Sequence, residues 1–146
     1  MKICSSVINI KETHNGDKRI LIIDDDQFII RILKMKLKEG GYQVFVARNG
    51  YEGLKNVKRY RPHLLITDLS MPRMDGWQLC EKINELQDYK PKIIIITSLI
   101  DRYQREKIKE SPNIVFLDKP ISPKNILSVV HSCLTHKERE RNNYNT

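Results

Sequence analysis

No apolar stretch in this chain approaches the roughly 18 residues that a membrane span requires, so a bilayer-crossing helix is not expected. Residues 1–17 hold no long apolar core of the kind a secretory leader carries, and residence in the cytoplasm is therefore the expectation. Cysteine is scarce: Cys4, Cys80 and Cys133 are an odd number, scattered, with no Cys-x-x-Cys pair. That excludes a disulfide framework and reads as reduced thiols. The four histidines, His14, His63, His131 and His136, show no ligand spacing. The last two are five residues apart and fall on different faces of a helix, so a metal held by His or Cys is not expected. There is no basic run interleaved with aromatics, no zinc-finger spacing and no helix-turn-helix pattern, and DNA contact is not expected. Internal repeats and low-complexity segments are absent too.

What remains is a 146-residue chain with 40% hydrophobic and 30% charged residues, the balance of one globular domain with a proper core. The formal net charge of +8 is spread along the chain and mixed with acids, which reads as a solvated basic surface. Residues 1–17 are polar and irregular and are expected to form a flexible extension, residues 18–136 the folded domain, and residues 137–146 a polar, frayed tail.

Within the domain, short apolar runs alternate with amphipathic segments. Arg19 to Asp24 reads as a first strand, followed by a helix from about Gln27 to Glu39 whose Ile29, Ile30, Leu33 and Leu37 recur at three- and four-residue spacing. Gly40-Gly41 ends that helix. Gln43 to Ala47 is a second strand, Asn49-Gly50 a cap, and a second helix runs to about Tyr60. Leu64 to Thr67, bounded by Pro62 and Pro72, is a third strand. Asp75 then caps a helix to about Gln87. Lys92 to Thr97 is a fourth strand, Asp101 to Glu110 a weakly amphipathic fourth helix, and Asn113 to Leu117 a fifth strand. Ser122-Pro123 opens a last helix, Ser as N-cap and Pro at its first position. Strands that are continuously apolar, alternating with helices, predict a parallel sheet covered on both faces.

In such a sheet the carboxyl ends of the strands share one edge, where ligands bind. Here they deliver Asp24 and Asp25, then Asp68, then Thr97, with Lys119 just past the fifth strand. Carboxylates held close together repel, and a hard divalent cation such as Mg²⁺ relieves the repulsion while leaving positions for phosphate oxygens. Lys119 adds a fixed positive charge and Thr97 a hydroxyl donor. The grouping predicts a phosphoryl-transfer site in which a carboxylate is the nucleophile. Each piece has a plainer reading. Asp25 and Asp26 favour a helix N-terminus, Thr97-Ser98 could be a cap, and Lys119 a solvated lysine. Their joint placement favours the site.

These residues resemble the receiver domains of two-component response regulators. Asp24-Asp25 resembles the family's acidic pair, and Asp68-Leu69-Ser70-Met71-Pro72-Arg73-Met74-Asp75-Gly76 matches its phosphoacceptor loop, D-x-x-M-P-x-M-D-G. Thr97 falls at its hydroxyl position and Lys119-Pro120 at its Lys-Pro pair, and the likeness covers about Lys18 to His136. The resemblance implies a flavodoxin-like (βα)5 fold with strand order 2-1-3-4-5. It implies that Asp68 accepts a phosphoryl group from a histidine kinase or histidine phosphotransfer protein, without the chain being a turnover enzyme. Asp25, Asp68 and the Ser70 backbone carbonyl would ligate Mg²⁺, with Asp24 assisting through water. Thr97 and Lys119 would contact the phosphoryl group, Phe116 would be the aromatic switch residue, and a cis peptide would precede Pro120. Output would pass through the fourth helix, fifth strand and fifth helix to a downstream protein, or to a phosphorylation-dependent dimer. Arg102, Arg105, Lys107, Lys109 and Lys124 on that surface suit an acidic partner.

Two departures and two rivals bear on this. Pro112-Asn113 stands where the family commonly has Gly-Ala, and Asp101 to Ser111 is poor in apolar residues, so the fourth helix is expected to be short, shifted or mobile. The polar residues after His136 are too few for an output domain, which implies a stand-alone receiver. A haloacid-dehalogenase-like phosphatase would use Asp24 as nucleophile and Asp26 in a D-x-D motif. Gln27-Phe28 continues that motif poorly, and it leaves the Asp68 loop unexplained. A phosphorylation-independent, receiver-like binding module would have no need of the intact Asp24, Asp25, Asp68, Thr97 and Lys119.

Overall fold

The computed structural model describes residues 16–98, 106 and 110–144. Among them the chain forms β1 (Arg19–Ile23), α1 (Gln27–Glu39), β2 (Gln43–Ala47), α2 (Gly50–Tyr60), β3 (Leu64–Thr67), α3 (Gly76–Asn84), β4 (Lys92–Thr97), β5 (Ile114–Asp118) and α4 (Pro123–Tyr144). The five strands make one parallel sheet in the order β2-β1-β3-β4-β5, the flavodoxin-like topology that the family resemblance implies.

Alternation along the strands sorts the core into two layers. Leu21, Ile23, Leu65, Ile93 and Ile95 pack with Val57 of α2 and Leu79 and Ile83 of α3. Ile20, Ile22, Leu64, Ile66, Ile94 and Ile96 face the other way, onto Leu33 and Leu37 of α1 and Ile126 and Val130 of α4. Burying both faces of β1, β3 and β4 explains why these strands read as unbroken apolar runs. Each such side chain contributes about 1.5–3 kcal/mol of burial free energy.

The local signals act where they stand. The Asp26 side chain caps α1 at Phe28 N, and Asn49 caps α2 at Glu52 N. Asp75 and Gln78 form a reciprocal capping box on α3. At the end of α1, Gly41 takes φ 88°, and the Tyr42 and Gly41 amides reach back to the carbonyls of Leu37 and Lys38. This is the left-handed stop that glycine permits.

Four boundaries differ from expectation. β1 ends at Ile23 rather than Asp24, although the Asp24 amide still donates to Ala47 O at 3.1 Å. β5 runs Ile114–Asp118, one residue later than expected. α3 stops at Asn84 instead of Gln87, because the chain tightens there (Leu86 N to Ile83 O, 3.0 Å) and Asp88 turns left-handed at φ 58°. That turn brings Leu86 and Tyr89 onto the α3-side core. Most strongly, the tail expected to fray from His136 continues α4 to Tyr144. No Gly or Pro interrupts residues 124–146, and Lys, Glu and Arg are good helix formers. The fourth helix expected over Asp101 to Glu110 lies outside the described residues except at 106 and 110, as do residues 1–15. Among the described residues no helix is long and apolar enough to cross a membrane.

Candidate functional site

The buried polar and charged side chains among the described residues are Asp24, Thr67, Asp68 and Thr97, and all four stand at the carboxyl edge of the sheet. A fold that hides polar groups keeps them paired, so this concentration marks the edge as the site.

Asp68 follows β3 and is 8% exposed. Lys119, after β5, places Nζ at 2.7 Å from Asp68 Oδ2, while Oδ1 accepts the Ser70 amide at 3.2 Å. Lys119 is brought there by the β4–β5 pairing, which continues as Lys119 N donating to Thr97 O at 3.1 Å. The peptide between Lys119 and Pro120 is cis, as the family resemblance implies. Burial pulls the Lys119 ammonium down, but the hydrogen bond and charge of Asp68, with the charges of Asp24 and Asp26, carry it above its ordinary value.

Asp24 is 5% exposed and its Oδ1 accepts the Asp26 amide at 2.9 Å. Burial, reinforced by the charges of Asp68 and Asp25, pushes its carboxyl up to about 6 against that hydrogen bond and Lys119. Asp25 is exposed beside it. Among the described residues no three His, Cys, Asp or Glu side chains close into a metal cage. One Asp68 oxygen is held by Lys119 and one Asp24 oxygen by a backbone amide. The donors nevertheless suit Mg²⁺, which takes only a few carboxylate and carbonyl oxygens and keeps waters. Asp25, Asp68 and the Ser70 carbonyl are the groups that would hold the ion, with Asp24 assisting through water.

The loop from Asp68 to Gly76 is fixed from two sides. Gly76 donates its amide to Leu69 O at 3.0 Å, and a Cβ there would run into the Asp68 carbonyl oxygen. Arg73 sits left-handed at φ 70°. Met74 packs so closely on Gly50 that a Cβ on that glycine would meet Met74 O at 2.7 Å. Met71 and Met74 are core residues, as expected. Sequence reasoning missed the two glycine contacts, although Asp75-Gly76 and Asn49-Gly50 were visible.

Thr97 ends β4 at 3% exposure. Register pairs Ile95 with Phe116 and Thr97 with Asp118, so Phe116 and Thr97 project from one face of the sheet. Phe116 is half-buried against the α3-side core. Of the expected output-surface cations, Lys124 is exposed, and Arg102, Arg105, Lys107 and Lys109 lie outside the described residues. Cys80 and Cys133 are buried free thiols, and burial, with Asp75 and Glu81, pushes Cys80 up to about 12. Cys4 is outside the described residues.

Comparison with known proteins shows the family. The family described as response regulator receiver domain matches residues 20–131. A probable transcriptional regulator, ycf27, of Porphyridium aerugineum is 35% identical over 128 residues, covering 88% of this chain and 52% of that protein. The alkaline phosphatase synthesis transcriptional regulatory protein PhoP of Bacillus subtilis is 28% identical, covering 84% of this chain and 50% of its own. The chain thus spans about half the length of the curated relatives it matches. A CheY-like receiver domain protein from Methanospirillum hungatei superposes with a TM-score of 0.76 at 30% identity, over 84% of this chain and 98% of that one.

Proposed function

Because the chain belongs to the response regulator receiver domain family, we propose that it accepts a phosphoryl group on Asp68 from a histidine kinase or histidine phosphotransfer protein and signals by changed partner binding. The observation that carries the reading is the Lys119 Nζ to Asp68 Oδ2 contact of 2.7 Å, at the edge where Asp24 and Thr97 are also buried. An Asp68 carboxylate oxygen forms the new O–P bond. The donor's N–P bond breaks, and its electron pair stays on the donor imidazole. Lys119 passes from the carboxylate to the incoming phosphoryl oxygens, and the Thr97 hydroxyl donates to the same group. Asp25, Asp68 and the Ser70 carbonyl, with Asp24 assisting through water, would hold Mg²⁺, which would supply positive charge to the transfer. The product carries about −1.5 to −2 charge, which draws Thr97 in and biases Phe116 on the same sheet face.

Residues 18–136 are the receiver unit in this reading, a phosphoacceptor in the cytoplasm and not a turnover enzyme. β5 and α4 present the output face in this reading, where Lys124 favours an acidic partner or a second phosphorylated copy. Intact mass after incubation with acetyl phosphate tests the proposal. A single Mg²⁺-dependent phosphoryl adduct is expected on the wild type and none on Asp68→Asn. No adduct on the wild type, or an equal adduct on the variant, refutes it.

A further inference from the structure

The opposite edge of the sheet gathers a second set of charges. Lys18 precedes β1 and Arg19 opens it, Arg61 precedes β3, and Lys90 precedes β4, which Lys92 opens. Because β1, β3 and β4 are neighbours in the sheet, these five cations line one cleft of about 760 Å³, in which the acid is Asp88. His63 sits between them. Its amide donates to Arg19 O at 2.9 Å, its Nδ1 accepts the Arg19 amide at 3.0 Å, and its carbonyl accepts the Lys92 amide at 3.1 Å. Arg19 and His63 therefore lie side by side at this edge, while Lys92 pairs in register with Leu64, one residue along, and leaves the opposite face of the sheet, so the cations reach the cleft from both faces.

Part of this charge has a structural use. Arg19 donates to Tyr60 O at 2.8 Å and Arg61 O at 3.0 Å, covering the carbonyl end of α2. Arg61 lies over the Tyr89 ring at 5.0 Å, and the Tyr89 hydroxyl donates to Pro62 O. Carbonyls and an aromatic face do not neutralise a guanidinium. The ion pairs found among the described residues, Lys36–Glu39 and Lys119–Asp68, use none of the five cations. Like charges held in a concavity focus a positive field on whatever enters it.

The cleft's volume falls in the range of about 300–1,000 Å³ usual for small-ligand sites. Its aromatic residue, Tyr89, has one face against Arg61 and its hydroxyl engaged, which leaves a poor platform for a nucleobase. We propose that this cleft binds small polyphosphates, recognising the phosphate chain itself rather than a base or sugar. The ligand is either an inorganic polyphosphate or the phosphate chain of a nucleotide. The site lies at the end of the strands away from Asp68 and does not depend on phosphoryl acceptance there.

The test is a ¹H–¹⁵N NMR titration of the full chain with sodium tripolyphosphate, ATP and GTP, without Mg²⁺, at low and at physiological salt. All three ligands should shift the amides of Arg19, Arg61, His63, Lys90 and Lys92, with affinities similar to one another and weaker at higher salt. Lys90→Glu/Lys92→Glu should weaken tripolyphosphate binding at least about tenfold. Lys18→Gln/Lys90→Gln, which spares the strand residue Lys92, should weaken it in the same direction. Both variants should be labelled at Asp68 by acetyl phosphate like the wild type. The proposal is overturned if tripolyphosphate shifts nothing at low salt, or only residues around Asp68 and Lys119. A preference for one nucleotide over tripolyphosphate beyond about tenfold would overturn phosphate-chain recognition. Tighter binding of duplex DNA through the same residues would overturn the small-ligand assignment.

Discussion

Replacing Asp24 by Asn removes a charge that the fold buries without fully compensating it. The side chain is 5% exposed, and burial first, then the charges of Asp68 and Asp25, lifts its carboxyl from 3.8 to about 6. A raised carboxyl means that the native state holds this proton more tightly than the unfolded chain does. The stability it confers is present below the unfolded value near 3.8 and is lost as pH rises to about 6. Above that, the ionised group costs up to about 3 kcal/mol relative to its protonated form. Asn is isosteric and its side-chain oxygen can still accept the Asp26 amide, so the substitution removes the charge and keeps the 2.9 Å bond. In chelator, urea unfolding followed by far-UV circular dichroism should show Asp24→Asn more stable than the wild type by about 2–3 kcal/mol at pH 8. The gap should be small at pH 4. Adding Mg²⁺ at pH 8 should stabilise the wild type and narrow it, since an ion that binds only the native state adds to its stability. An equal gap at both pH values, or a less stable variant at pH 8, would show that ionisation of Asp24 is not the source of the strain.

Two further substitutions separate the loop from the surface around it. Gly76→Ala drives a methyl into the Asp68 carbonyl, with Leu69 Cα also at 3.1 Å, and backbone cannot step aside as a flexible side chain would. It should lower stability by about 1–3 kcal/mol in thermal unfolding and slow acetyl phosphate labelling of Asp68. Unchanged values for both would refute the reading of the loop. Phe28 is 69% exposed at the start of α1, next to the Asp26 cap, where a large apolar side chain has no packing role. Phe28→Ser should change stability by no more than about 0.5 kcal/mol and leave acetyl phosphate labelling intact, while slowing transfer from a phosphorylated protein donor. Equal rates from the protein donor would show that Phe28 takes no part in docking that donor.

The sheet was legible in the sequence because burial on both faces leaves no room for alternation. Ile20 to Ile23 and Ile93 to Ile96 had to be interior strands, and their order followed from the resemblance. The site was legible for the same reason: Asp24, Asp68, Thr97 and Lys119 each stand within two residues of a strand's carboxyl end, where topology alone brings them together. What the sequence hid is set by contacts between distant segments. Nothing around Asn84 announces that α3 will stop so that Leu86 and Tyr89 can turn inward. The polar composition after His136 suggests fraying, yet Lys137 to Arg141 are good helix formers with no Gly or Pro among them, and polarity by itself does not end a helix. The basic charge is the instructive case. Counted along the chain it is diffuse and reads as a solvated surface. Lys18-Arg19, Arg61 before His63, and Lys90 before Lys92 each fall at the start of a strand. In a parallel sheet the amino ends share an edge as surely as the carboxyl ends do. The rule that gathers carboxylates around Asp68 also gathers these cations at the other end, so it should be applied to both edges of such a sheet.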